Sequence, residues 1–139
     1  MNTLSQPVSI EIPAKPEYAG IARLIVAGFA GLLGFDSETT EDIKIAVSEA
    51  CTNAIMQLHK QSRSEDMVVG ISAYTNDDNL VIDVEYPAKG IPHVEKPDSE
   101  SQEKDLVMSI LTSIMDEVDT ITAQNQGVIL RLVKKIPKH

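Results

Sequence analysis

The chain has no tryptophan, two phenylalanines, three tyrosines and a single cysteine among its 139 residues. One thiol excludes an internal disulfide framework. So few rings leave no stacking platform for single-stranded nucleic acid. Basic residues are also scarce: 12 Lys and Arg stand against 21 Asp and Glu, a net charge of −9. That is the opposite of the basic footprint that phosphate backbones require. The longest apolar stretch, 21–35, carries Arg23 and three glycines, too short and too interrupted to span a bilayer. The opening MNTLSQPVSIEIP lacks a basic segment followed by an apolar run, so no signal peptide is expected. No two of the seven glycines stand as Gly-x-Gly, and there is no P-loop or Gly-x-Ser-x-Gly. His59, His93 and His139 are scattered, so no zinc site is expected; His59 beside Lys60 suits the negative end of a helix.

What is present suffices for a core. Apolar residues make up 42% of the chain, and a domain of this size buries roughly two-thirds of its unfolded surface. Residues 1–139 are therefore expected to form a single soluble domain. The free thiol fits a reducing, cytoplasmic compartment, and the acidic balance favours steering towards basic partners.

Val8 to Ile12 alternates apolar and polar residues and stops at Pro13, which predicts a half-buried strand. Pro16 and Glu17 open a helix that carries Tyr18, Ile21, Ala22, Ile25, Phe29 and Leu32 at helical spacing and stops at Gly34. Gly20, Gly28 and Gly31 read as sites of close helix packing. Ser37 or Thr40 is the expected cap of a second helix. Its stripe is Ile43, Ala46, Val47, Ala50, Cys51, Ala54, Ile55 and Leu58, which makes Cys51 a core residue rather than a nucleophile. Two strands, 67–74 and 80–86, flank a hairpin turn at 75–79. Residues 87–103, with three prolines and an acidic run, are expected to be a long irregular segment. A helix ending near Met115 and a closing antiparallel pair, 118–122 and 128–133, follow, with a frayed tail from Lys134 to His139. The order β-α-α-β-β-loop-α-β-β predicts an α+β fold: a two-layer α/β sandwich, its mostly antiparallel sheet covered by helices on one face.

Glu49 and Asn53 lie four apart on the second helix and project from one face beside the apolar stripe. A carboxylate there suits a general base, and an amide oxygen suits Mg²⁺. The same pair also reads as a hydrogen-bonded surface pair.

The run 43–55, Ile-Lys-Ile-Ala-Val-Ser-Glu-Ala-Cys-Thr-Asn-Ala-Ile, resembles the N-box of the bacterial anti-sigma-factor serine kinases, the sigma-B and sporulation regulators. These sit within the histidine-kinase, gyrase and Hsp90-like ATPase class. Residues 12–18, Arg23-Leu24, the run 111–118 around Met115-Asp116-Glu117-Val118, and Gly127-Val128 extend the resemblance over nearly the whole chain. It implies that Glu49 is the general base for a partner's serine and that Asn53 is the Mg²⁺ ligand of Mg-ATP. It also implies that Arg23 grips a sigma factor or a STAS-domain anti-anti-sigma antagonist, and that the protein is a homodimer.

The remaining nucleotide motifs depart from the family. Tyr86 stands at the aspartate and Ala88 at the glycine of Asp-x-Gly. Asp105 and Val107 replace the glycines of the Gly-x-Gly lid, and Ile129 replaces a threonine beside the adenine. A carboxylate at 105 repels a triphosphate, and a β-branched residue resists the positive φ of a lid glycine. The expectation is therefore an anti-sigma-type partner-switching protein with impaired ATP binding, its cavity beside Glu49 and Asn53 partly filled by Tyr86 and Val107. An active serine kinase and a degenerate paralogue acting by dimerisation are the alternatives.

Overall fold

A computed structural model describes residues 6–60, 67–87, 99–122 and 127–138, with backbone alone over 99–105. The elements are β1 (Val8–Pro13), a 3-10 turn (Pro16–Tyr18), α1 (Ala19–Leu32), α2 (Ser37–Lys60), β2 (Val68–Asn76), β3 (Asn79–Pro87), α3 (Ser99–Ile114), β4 (Glu117–Thr122) and β5 (Gly127–Lys135). The strands form one sheet in the order β1-β2-β3-β5-β4, and every neighbouring pair is antiparallel. This is the expected α+β architecture. No helix among the described residues is long and apolar enough to cross a membrane.

Strand alternation separates the two faces of the sheet. Val69, Ile71, Ala73, Ile82, Val84, Leu130 and Leu132 point into the core cluster, where they meet all eight predicted stripe residues of α2. Helix α2 lies between α1 and α3 and packs on β3. The opposite face carries one polar row: Ser9, Ser72, Asp83, Arg131 and Asp119 stand side by side across the five strands. Within it the Arg131 guanidinium donates to both Asp83 oxygens, at 2.8 and 3.0 Å, and the Tyr74 hydroxyl donates to Asp83 at 3.0 Å.

Local sequence sets the helix ends. Gly34 adopts φ 86°, its N–H bonds the Gly31 carbonyl, and the Phe35 N–H bonds that of Ala30. These two bonds satisfy the orphan carbonyls at the end of α1. The cap of α2 is Asp36, not Ser37 or Thr40: its Oδ1 accepts the Thr39 N–H at 2.7 Å. That bond holds the Asp36 carboxyl below the usual carboxylate range.

Three further expectations are corrected. The segment 87–103 is not irregular throughout, because α3 begins at Ser99; after Pro97 the run Ser-Glu-Ser-Gln-Glu-Lys contains no helix breaker. The β2–β3 turn is tighter than predicted, since Asn76 already pairs with Asn79, leaving Asp77 at φ 56°. Lys134 and Lys135 belong to β5 rather than to a frayed tail. The Lys134 ammonium donates to the Ile114 carbonyl at 2.6 Å, and the Lys135 N–H donates to Asp116 Oδ2 at 2.7 Å. His93 and the Ala88–Gly90 stretch fall outside the described residues.

Gly34→Ala forces a side chain into the left-handed region and is expected to lower stability by about 1–2 kcal/mol. A Cβ added at Gly20, Gly28 or Gly31 meets open space, so within the domain these are not the close packing sites expected from the sequence, and Gly28→Ala is expected to raise stability by up to about 1 kcal/mol. Urea unfolding midpoints check both signs. Because the folded pKa of Asp36 is depressed, its cap stabilises fully above the ordinary aspartate value of about 4 and is lost as pH falls through the folded value. Asp36→Ala is therefore expected to be less stable than the parent at pH 7, the gap narrowing as acid titrates the parent's cap, in melts from pH 7 to 2.

Candidate functional site

The predicted site residues start from α2. Its buried stripe fixes the rotation of the helix, and that rotation leaves Glu49 and Asn53 half-buried at its flank. Asn53 lines a pocket of about 110 Å³ together with Tyr86, Val107, Met108, Thr120, Val128 and Leu130. Five elements meet there: α2, the end of β3, α3, β4 and β5. Glu49 is one helical turn away and is not among these lining residues.

Register explains which sheet residues reach the pocket. Tyr86 is paired with Val128, and Leu130 is paired with Val84 and Thr120. All of these fall on the helix-covered face. Ile129 lies between Val128 and Leu130 and is paired with Glu85 and Ile121, so it belongs to the opposite face. The expectation that Ile129 stands at the adenine position is thereby corrected by strand parity.

Tyr86 packs against the core cluster, and burial pushes its hydroxyl above the ordinary tyrosine value. Val107 is half-buried inside α3. The backbone of Asp105 is helical too, while its side chain and Ala88 lie outside the described residues. Tyr86 and Val107 thus line the same pocket as Asn53, and Glu49 does not.

Arg23 is elsewhere. It is exposed on α1; the Lys44 ammonium, hydrogen-bonded at 2.8 Å, holds the Glu41 carboxyl of α2 below its usual range, and the Arg23 charge adds a small share. Arg23 therefore sits over the α1–α2 layer and not at the pocket.

The described residues here do not supply the groups expected to hold Mg-ATP. A half-buried phenol, Tyr86, stands where the resemblance implies a carboxylate for the adenine amino group. A valine within a helix replaces a lid glycine, and helical N–H groups are engaged by their own carbonyls rather than offered to phosphates. Sequence reasoning did not single out Met108, Thr120, Val128 or Leu130 as pocket residues. Once Tyr86 is paired with Val128, period-two alternation identifies Leu130 and its neighbour Thr120.

Comparison with known proteins follows the same line. The model of the histidine kinase-like ATPase domain matches residues 12–134. The serine-protein kinase RsbW of Bacillus pumilus (strain SAFR-032) is 34% identical, over 96% of this chain and 88% of the relative. The same-named kinase of Oceanobacillus iheyensis is 33% identical, over 93% and 86%. Among solved structures, the RsbU and RsbW domains of Rv1364c from Mycobacterium tuberculosis align with a TM-score of 0.66 at 17% identity, covering 97% of this chain and 34% of that one. The SiaB–SiaC complex from Pseudomonas aeruginosa aligns at 0.65 and 11% identity, covering 91% and 88%. At those identities the two structures show likeness of fold alone.

Cys51 completes the inventory of α2. It is fully buried, and burial pushes its thiol up to about 12. At pH 8 the native thiol is expected to react with an aromatic disulfide reagent roughly a thousandfold more slowly than the urea-unfolded chain. Stopped-flow absorbance compares the two; similar rates would show a thiol outside the core.

Proposed function

The chain belongs to the histidine kinase-like ATPase domain family and, within it, to the serine-protein kinase RsbW group, and from that premise we propose that it is a partner-switching regulator whose nucleotide site is impaired. Its role is to bind a sigma factor, a STAS-domain anti-anti-sigma protein, or both in turn, as a cytoplasmic homodimer. The observation that carries the reading is the convergence of Tyr86 and Val107 on Asn53 in a pocket of about 110 Å³. Near-full-length likeness to the RsbW kinases supports the switching role, and the unfavourable pocket supports regulation by binding rather than by phosphoryl transfer.

Arg23 is the residue assigned to the partner. It is exposed on α1. The net charge of −9 favours encounter with a basic partner.

A second reading has its own support. The relatives are named serine-protein kinases, and Asn53 is kept at the pocket wall with Glu49 one turn away. In that reading Glu49 serves as base and Asn53 as the Mg²⁺ ligand, and the protein phosphorylates its antagonist.

Two measurements separate the readings. Arg23→Ala is expected to weaken capture of purified sigma-factor or STAS partners by at least about tenfold with an unchanged melting temperature. Failure of the parent to bind any such partner sinks the switching role. Calorimetry with Mg-ATP is expected to give no saturable heat at millimolar nucleotide. Micromolar binding that Asn53→Ala abolishes would establish the kinase instead.

A further inference from the structure

Away from the pocket, the first helix presents a face that the domain itself does not use. Apart from Arg23, every exposed position of α1 is glycine, isoleucine or leucine: Gly20, Ile21, Leu24, Gly28, Gly31 and Leu32. Leu24 is 70% exposed, Leu32 72% and Ile21 45%. A surface helix ordinarily turns charged and polar side chains outward, and one that is apolar all round is buried against something. The glycines are equally unused. Each weakens the helix relative to alanine, yet a Cβ at Gly20, Gly28 or Gly31 would meet nothing within 4 Å.

The order of large and small residues says what covers this face. Gly20, Leu24, Gly28 and Leu32 stand four apart in one ridge, alternately small and large, with Ile21 and Gly31 beside it. Turned end for end about Val26, the pattern is its own complement: Leu24 comes level with Gly28, Leu32 with Gly20, and Ile21 with Gly31. A two-fold contact between identical chains requires such self-complementarity. Packing of i, i+4 ridges between two helices is also the commonest class in globular proteins, at a crossing of about −50°. The helix carries no carboxylate, so nothing on this face draws a basic partner.

We propose that two copies of the chain associate through the outer face of α1, the helices antiparallel, with the leucines and isoleucine of each copy seated over the glycines of the other. This names a surface for the homodimer of the proposed function and rests on that part of the reading alone. The 14 residues of α1 make a helix roughly 21 Å long. A strip of that length and about 10 Å across falls well below the ~800 Å² per partner of a stable dimer. The dimer is therefore weak and reversible, with a Kd of about 10–100 µM. A net charge of −9 on each copy opposes the approach, so salt that screens the charge tightens the dimer.

Sedimentation equilibrium of the full chain, from about 5 to about 500 µM, brackets that Kd. The mass is expected to rise from one copy to two, and the dimer to tighten a few-fold between about 0.05 and about 0.5 M salt. Leu24→Asp places a carboxylate in the contact and is expected to weaken association by at least about tenfold. Gly28→Leu fills the recess and is expected to weaken it as much, while its melting temperature at about 2 µM, below the expected Kd, is not lowered. Amide shifts that grow with concentration are expected around residues 20–32. A single copy persisting at about 500 µM overturns this proposal together with the homodimer, and leaves the capture of sigma-factor or STAS partners as a separate question. A dimer that survives Leu24→Asp and Gly28→Leu, that loosens with salt, or whose amide shifts centre elsewhere overturns this proposal alone. So does a lowered melting temperature in Gly28→Leu, which would show that the glycine serves the domain's own packing.

Discussion

Everything in this molecule is arranged about the burial of one helix. Eight residues of α2, from Ile43 to Leu58, are removed from water, and they are met by α1 on one side, α3 on the other and the sheet beneath. Burial on this scale is the dominant favourable contribution to a fold of this size. It also fixes the rotation of α2 about its own axis. Glu49 and Asn53 hold their places at the flank because Ala46, Ala50 and Ala54 on the adjoining face are packed. The small alanines let neighbouring elements approach closely, so a large residue at any of them would displace the wall that carries Asn53.

The sheet divides its chemistry by parity. One face supplies core; the other supplies a polar row in which Asp83 is held by Arg131 and Tyr74. A two-layer fold leaves that second face without helices, and charged and hydroxyl-bearing residues suit it to solvent. The same parity decides which residues reach the pocket. Tyr86, Val128 and Leu130 do so because they fall on the core-facing set, and Ile129 does not.

On the proposed reading, a family built around a nucleotide gives up its ligand with little change to its frame. The departures lie at Tyr86 and in the first half of α3, at the rim of the helix-covered face, whereas the packing of α2 on the sheet lies beneath it. Fold and ligand are separable here because the interactions that stabilise the domain are hydrophobic and distributed. Those that held a nucleotide would be polar and few. The likeness to RsbW proteins therefore speaks to architecture more firmly than to phosphoryl transfer.

The sequence by itself determined the element order, the eight buried positions of α2 and the stop at Gly34. Each of these follows from local rules: periodicity and the conformational freedom of glycine. Tertiary structure alone decided the rest. Asp36 became the cap because the turn after Gly34 directs its carboxylate at the Thr39 N–H. Lys134 and Lys135 became part of a strand because Ile114 and Asp116, some twenty residues earlier, accept their hydrogen bonds. Ile129 was turned from the pocket by strand pairing, and Met108 and Thr120 were brought to it by α3 and the sheet edge. Those outcomes depend on contacts between segments far apart in the chain, which no local pattern of residues encodes.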